Sequence, residues 1–135
     1  MTAAWVLEGA TILVLEDDLS FREGLAAALH RFGARVLEAG SAQAALHVVQ
    51  ERRPDIMVVD LGLPSVDGIE FLRRVHRLPA RAGGQTPAVA LTARNTALDR
   101  AATQKAGFIA HLTKPIQLDE LARVLGSVLS IRRRS

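Results

Sequence analysis

Five short apolar runs, each followed by a stretch with helical spacing, constrain this 135-residue chain more than any single residue does. Alternation of this kind marks repeated strand–helix units, which build a parallel sheet. The strands read at about 11–15, 34–38, 55–60, 87–91 and 108–112, and the helices near 20–31, 41–52, 67–77, 95–106 and 117–130. The middle runs are almost unbroken in Val, Ile, Leu and Ala, as strands covered by helices on both faces should be. Crossovers between parallel strands are right-handed, so five units give an open, flavodoxin-like doubly wound α/β sheet of order 2-1-3-4-5.

Local signals place the joints. Ser20 with Glu23 three residues on has the spacing of a capping box for the first helix, and Gly33 stands where a left-handed residue would end it. Ser41 and Asn95 are candidate caps for the second and fourth helices. The segment Leu78 to Thr86, with Pro79, Gly83 and Gly84, is the long connection and reads as a flexible surface loop. The chain divides into a lead-in over 1–9, one domain over 10–130 and a basic tail over 131–135. Trp5 is expected to pack at the N-terminal end.

Composition excludes several classes of function. With no cysteine, the chain has no disulfide, thiolate metal site or cysteine nucleophile. No apolar stretch approaches the ~20 residues that cross a bilayer, and the first residues lack the pattern of a signal peptide, which points to a cytoplasmic protein without membrane contact. The net charge of +3 is carried by the tail: apart from Arg132, Arg133 and Arg134 there remain 14 basic against 14 acidic side chains. A terminal basic cluster suits a solvated helix end, so no nucleic-acid contact is expected. His30, His47 and His76, on helices beside polar neighbours, read as surface residues, and Arg73, Arg74 and Arg77 as a solvated basic face.

Three buried strands stop at polar residues. Thr11-Ile12-Leu13-Val14-Leu15 gives way to Glu16-Asp17-Asp18, Ile56-Met57-Val58-Val59 ends at Asp60, and Val89-Ala90-Leu91 ends at Thr92. In open α/β sheets ligands bind beyond the carboxyl ends of the strands, where strand order reverses, and here Asp17 and Asp60 meet. Carboxylates held together repel, and a cation normally neutralises them; oxygen-only ligands suit Mg²⁺, which shares phosphoryl oxygens readily. The first loop is acidic rather than glycine-rich, so a nucleotide cradle is excluded. Lys114, held in the turn by Pro115, and Thr92, with small Ala93 beside it, supply an ammonium and a hydroxyl. A carboxylate nucleophile at Asp60 with these groups can stabilise a phosphoryl group in transfer.

With Ile12 to Asp18, Asp60-Leu61-Gly62-Leu63-Pro64-Ser65-Val66-Asp67-Gly68, Ala90-Leu91-Thr92-Ala93, Ala106-Gly107 and His111-Leu112-Thr113-Lys114-Pro115 in order, the chain resembles the receiver domains of two-component response regulators over nearly its whole length. The resemblance implies that Asp60 accepts a phosphoryl group from a histidine kinase or histidine phosphotransfer protein. It further implies a Mg²⁺ (or Mn²⁺) site with Asp17 as direct ligand, Glu16 acting mostly through a water, Asp60, and the Gly62 backbone carbonyl. Asp18 would be the extra acid, turned towards the first helix. Thr92 would move towards the new phosphoryl oxygen, Lys114 would pair with it, and Gly62 and Arg94 would tune its lifetime. The output surface would be the fourth helix, fifth strand and fifth helix, with a homodimer as one arrangement.

His111 departs from the pattern, which has tyrosine or phenylalanine there, a ring that moves inward with the threonine. Its imidazole reads either as a partly buried, hydrogen-bonded ring or as a switch that pH could bias. The lead-in Leu7-Glu8-Gly9, the loop after Leu78, and Ala106-Gly107-Phe108 look like receivers fused to hybrid sensor kinases. Since no DNA-binding segment follows Ser130, a complete transcription factor is not expected. Two other classes stay open: a phosphatase or phosphotransferase with an aspartyl nucleophile, against which Gly62 stands where such enzymes carry a second acid, and a pseudo-receiver that only binds partners.

Overall fold

A computed structural model describes residues 6–63, 67–94 and 96–133. Five strands, β1 (Thr11–Leu15), β2 (Arg35–Ala39), β3 (Ile56–Asp60), β4 (Ala88–Thr92) and β5 (Ala110–Thr113), form one parallel sheet of order β2-β1-β3-β4-β5, as expected. Between and after them lie α1 (Leu19–Arg31), α2 (Ala42–Arg52), α3 (Gly68–His76), α4 (Ala97–Ala106) and α5 (Leu118–Arg133). Among the described residues no helix is long and apolar enough to cross a membrane.

The period-two alternation inside the apolar runs sorts them onto two faces. Ile12, Val14, Ile56, Val58, Val89 and Leu91 pack under α1 and α5 with Leu25, Leu29, Leu121 and Leu125. Leu13, Leu15, Met57, Val59, Ala88 and Ala90 point the other way, against Val49 of α2 and Phe71, Leu72 and Val75 of α3. Both faces of β3 are thus dry and all five of its residues buried, whereas edge strand β2 is partly exposed. Each wholly buried Leu or Ile side chain contributes about 1.5–3 kcal/mol through removal from water. Leu7 of the lead-in is itself wholly buried in the α1/α5 core, and its amide donates to the Phe32 carbonyl.

The joints hold three corrections. α1 is capped by Asp18, whose carboxylate accepts from the Phe21 amide at 2.8 Å, so Ser20 lies inside the first turn and makes no capping box with Glu23. α4 is capped by Thr96 in a reciprocal box with Asp99; Asn95, the expected cap, lies outside the described residues, as do Trp5, Pro64, Ser65 and Val66. The segment after Leu78 is an ordered turn: Ala80–Ala82 form a 3₁₀ turn, the amides of Ala82 and Gly84 both donate to the Pro79 carbonyl, and Gly83 and Gly84 are buried. A Cβ on Gly84 would collide with the Leu78 carbonyl, so the glycine there serves close packing, while Gly83 beside it takes φ +97.

Other expectations hold. Ser41 caps α2 by accepting from the Ala44 amide at 3.2 Å. Gly33 takes φ +99 after α1, in close contact with Glu8. His30, His47 and His76 are exposed on their helices. The arginines at the end of α3 differ from a plain solvated face: Arg73 and Arg74 of the helix and Arg77, which follows it, all converge on Glu70, at 3.6, 3.4 and 4.0 Å.

Candidate functional site

The carboxyl ends of β1, β3, β4 and β5 bring together residues far apart in sequence. Parallel register sets Leu15 beside Val59 and Asp60 beside Leu91, so the residues just past β1 come level with the last residue of β3. Carboxylate oxygens of Glu16, Asp17 and Asp60 lie within 4.8 Å of one another. Glu16 is 2% exposed and Asp60 5%, while Asp17 faces solvent. Thr92, the last residue of β4, is buried across from them.

Lys114 enters from the turn after β5, across a cis bond to Pro115. Its Nζ donates to Glu16 Oε1 at 3.0 Å and stands 3.4 Å from Asp60 Oδ1. It also lies 4.7 Å from the centre of the Phe21 ring, a cation–π contact from the first turn of α1. The Gly62 amide donates to Asp60 Oδ1 at 3.1 Å, and the Asp18 amide to Glu16 Oε2 at 3.1 Å. With Asp18 also capping α1, the third acid of the run turns to the helix.

Two members of the cluster respond to burial differently. Burial pushes the Glu16 carboxyl above its usual value, with the Asp60 charge adding to the rise and the Asp18 amide and Lys114 opposing it. For Lys114 burial acts downward, but its hydrogen bond to Glu16 and the charges of Asp60 and Glu16 outweigh it and hold the ammonium above its usual value. The shared contact therefore raises the lysine, while its downward pull on the glutamate is outweighed by burial. Depth explains it: the Glu16 side chain is 3% exposed and that of Lys114 is 28%, so desolvation weighs more on the acid.

A cavity of about 500 Å³ opens beside Asp60 and runs past Thr92 and Arg94 to Thr103 and His111. Thr92 Oγ1 accepts from the Arg94 amide at 3.0 Å. His111, half-buried on β5, has both ring nitrogens engaged: Nε2 with the Arg94 carbonyl at 3.1 Å and Nδ1 with Thr103 Oγ1 at 3.1 Å. Because the carbonyl only accepts, Nε2 carries a proton; the Thr103 hydroxyl also reaches the Asp99 carbonyl at 2.8 Å. The hydrogen-bonded reading of His111 thus describes its ring in this conformation.

A family model described as the response regulator receiver domain matches residues 12–125. The chain belongs to that family. Among curated proteins the receiver is 37% identical over 124 residues, 92% of its length, to the KDP operon transcriptional regulatory protein KdpE of Escherichia coli. It is 40% identical over 114 residues to an uncharacterised 14.6 kDa protein of Leptolyngbya boryana, covering 84% of this chain and 86% of that one. It spans about half of the transcriptional regulators it matches, 52% and 45% of the first two. Among solved structures, the receiver domain of a Pseudomonas aeruginosa sensor histidine kinase, with magnesium coordinated in its active-site cleft, superposes with TM-score 0.81 at 30% identity, covering 90% of this chain and 98% of that one.

Every residue singled out at the strand ends lies in this one region. Phe21, Arg22 and Thr103 join the site without having been singled out from the sequence. Phe21 and Arg22 were legible in principle, since they follow Asp18 by three and four residues and so share its side of a helix. Thr103 meets His111 only through the packing of α4 on β5.

Proposed function

We propose that this receiver takes a phosphoryl group from the phosphohistidine of a histidine kinase or histidine phosphotransfer protein onto Asp60. The observation that carries the reading is the convergence of Lys114 on buried Asp60 beside Glu16 and Asp17. An Asp60 oxygen attacks phosphorus, the P–N bond breaks, and its electron pair returns to the donor imidazole as an acyl phosphate forms. Lys114 can leave Glu16 for a phosphoryl oxygen by a small movement of its flexible stem, and Thr92 can turn its hydroxyl to another.

The donor set fits a hard divalent cation, because it offers only oxygens and three carboxylates. Asp17 and Asp60 would hold Mg²⁺ (or Mn²⁺) directly with the Gly62 carbonyl, and Glu16 through water. When bound, the ion offsets negative charge on the phosphoryl oxygens. Arg94, exposed at the mouth of the cavity, is the side chain placed to limit water entry, since Gly62 has none.

The chain works as a signalling module and not as a turnover enzyme. Thr92 and His111 relay the change to α4, β5 and α5, which bind the output partner, a homodimer being one form. Its similarity to the receiver of a sensor histidine kinase supports an origin in a hybrid kinase. We assign 10–130 to the receiver, with Leu7 of the lead-in packed into its core and α5 continuing to Arg133.

Incubation with Mg²⁺ and acetyl phosphate, followed by intact mass, tests the reading. A single phosphoryl adduct on the wild type, lost in Asp60→Asn, is expected. No adduct on a protein that binds Mg²⁺ rejects the acceptor role, and turnover of many phosphomonoesters per chain would favour an aspartyl phosphatase instead.

A further inference from the structure

Arg22 occupies the space between two loops at the rim of the acidic cluster. It lies on α1, half-buried, with 17% of its side chain exposed. Its Nη1 donates to the Glu16 backbone carbonyl at 2.9 Å, and its Nε donates to Glu38 Oε1 on β2 at 3.2 Å. The planar guanidinium presents these donors in fixed relative directions, so a carboxylate on one side aims the donor on the other. Gly40, in the turn after β2, leaves the room: a Cβ there would stand 2.7 Å from Arg22 Nη1.

The carbonyl that Arg22 grips belongs to the peptide joining Glu16 to Asp17. Both carboxylates of the cluster's β1 side hang from the two Cα atoms of that one planar unit. The Glu16 amide is tied to the Ala39 carbonyl at 3.1 Å, the last hold on the strand before the chain turns into α1. Beyond it, the Arg22 hydrogen bond fixes the peptide's rotation, and hence where Glu16 and Asp17 point.

We infer that Arg22 is a positioning residue for the cation site, orienting Glu16 and Asp17 through the carbonyl of Glu16, with Glu38 and Gly40 holding the guanidinium in place. The inference rests on the reading of Glu16, Asp17 and Asp60 as a divalent-cation site and extends it to α1 and β2. Partners that orient metal ligands typically change affinity by about 10–100-fold when removed.

The test is calorimetric titration of Mg²⁺ into four full-length proteins, the wild type, Arg22→Ala, Gly40→Ala and Glu38→Gln, with thermal unfolding of each in EDTA. Gly40→Ala keeps the arginine and every charge but pushes the guanidinium off the carbonyl, so it carries the question if Arg22→Ala folds poorly. Both Arg22→Ala and Gly40→Ala are expected to weaken Mg²⁺ by about 10-fold or more. Glu38→Gln, which leaves a neutral acceptor for Nε, is expected to weaken it less. Folded Arg22→Ala or Gly40→Ala proteins that bind Mg²⁺ as the wild type does, even with lowered melting temperature, overturn the inference and assign Arg22 to stability alone. A wild type that takes up no Mg²⁺ overturns the cation-site reading, and this inference with it.

Discussion

Lys114 Nζ donates to Glu16 Oε1 at 3.0 Å across 98 residues of sequence, joining the turn after the last strand to the end of the first. Asp60 lies slightly farther off, at 3.4 Å, so the ammonium is shared between two buried acids and rests against the Phe21 ring. The lysine is thus a structural member of the cluster before any phosphoryl group arrives.

Lys114→Ala leaves Glu16 and Asp60 without their counter-charge. Removing one partner of a fully buried pair costs about 3–5 kcal/mol; with Lys114 28% exposed, we expect about 1–2 kcal/mol at pH 7 in EDTA, measured by urea unfolding. Because the folded protein holds Lys114 above its ordinary value, its contribution is complete below lysine's unfolded value of about 10.4 and is lost as pH rises through the folded one. The gap between variant and wild type should therefore close in strong alkali, and a gap that persists there would count against the ion pair.

Glu16 predicts a slope of the same sign, displaced to acid pH. Burial raises its carboxyl in the folded state, so the folded protein binds that proton more tightly than the unfolded chain. Stability from this source is greatest below glutamate's unfolded value of about 4.3 and falls as pH rises through the higher folded value. Relative to wild type, Glu16→Gln should gain stability between these limits when both are unfolded in EDTA. An unchanged difference from pH 4 to pH 7 would show that burial is not the controlling effect.

His111→Phe removes two hydrogen bonds, to the Arg94 carbonyl and to Thr103 Oγ1. At about 0.5–1.5 kcal/mol each, less the gain from a more apolar ring, the net loss should be about 1 kcal/mol. The sharper readout is hydrogen exchange: amides over 96–103 should open faster, since His111 ties α4 to β5. Exchange confined to wild-type rates would mean that packing alone holds α4.

Two glycines near Asp60 should differ in their tolerance of a methyl group. A Cβ on Gly68 would stand 2.7 Å from Leu61 Cδ2 and 2.9 Å from the Asp60 carbonyl oxygen, which is backbone and cannot yield cheaply. On Gly62 the nearest atom is Asp60 Oδ1 at 3.7 Å. We expect Gly68→Ala to cost about 1–3 kcal/mol and Gly62→Ala to stay within about 0.5 kcal/mol, by thermal unfolding. Equal costs would mean that the loop before α3 shifts to make room.

The sheet was legible because both faces of each inner strand are buried. Such strands must be written as continuous apolar runs, and the polar residues that end them mark the edge where a site forms. Asp60, Thr92 and the Glu16-Asp17 pair stood out for that reason. Helix starts were less legible, because Ser20 and Asp18 both fit as caps and only the backbone's path selects Asp18. The turn after Leu78 read as loose because its glycines permit looseness; burial against neighbouring carbonyls makes them a requirement of close packing.

Sequence by itself determined the order of the strands, the two-faced core and which residues would stand at the carboxyl edge, since alternation, strand length and crossover handedness leave little choice. Tertiary structure decided which of those residues touch. That Lys114 shares itself between Glu16 and Asp60, that His111 is tied to Thr103 and Arg94, and that Arg22 reaches back to the Glu16 carbonyl are contacts between elements. Their geometry depends on how helices seat on the sheet, to within an ångström, and hydrophobic patterning along a chain sets only the face, not the distance.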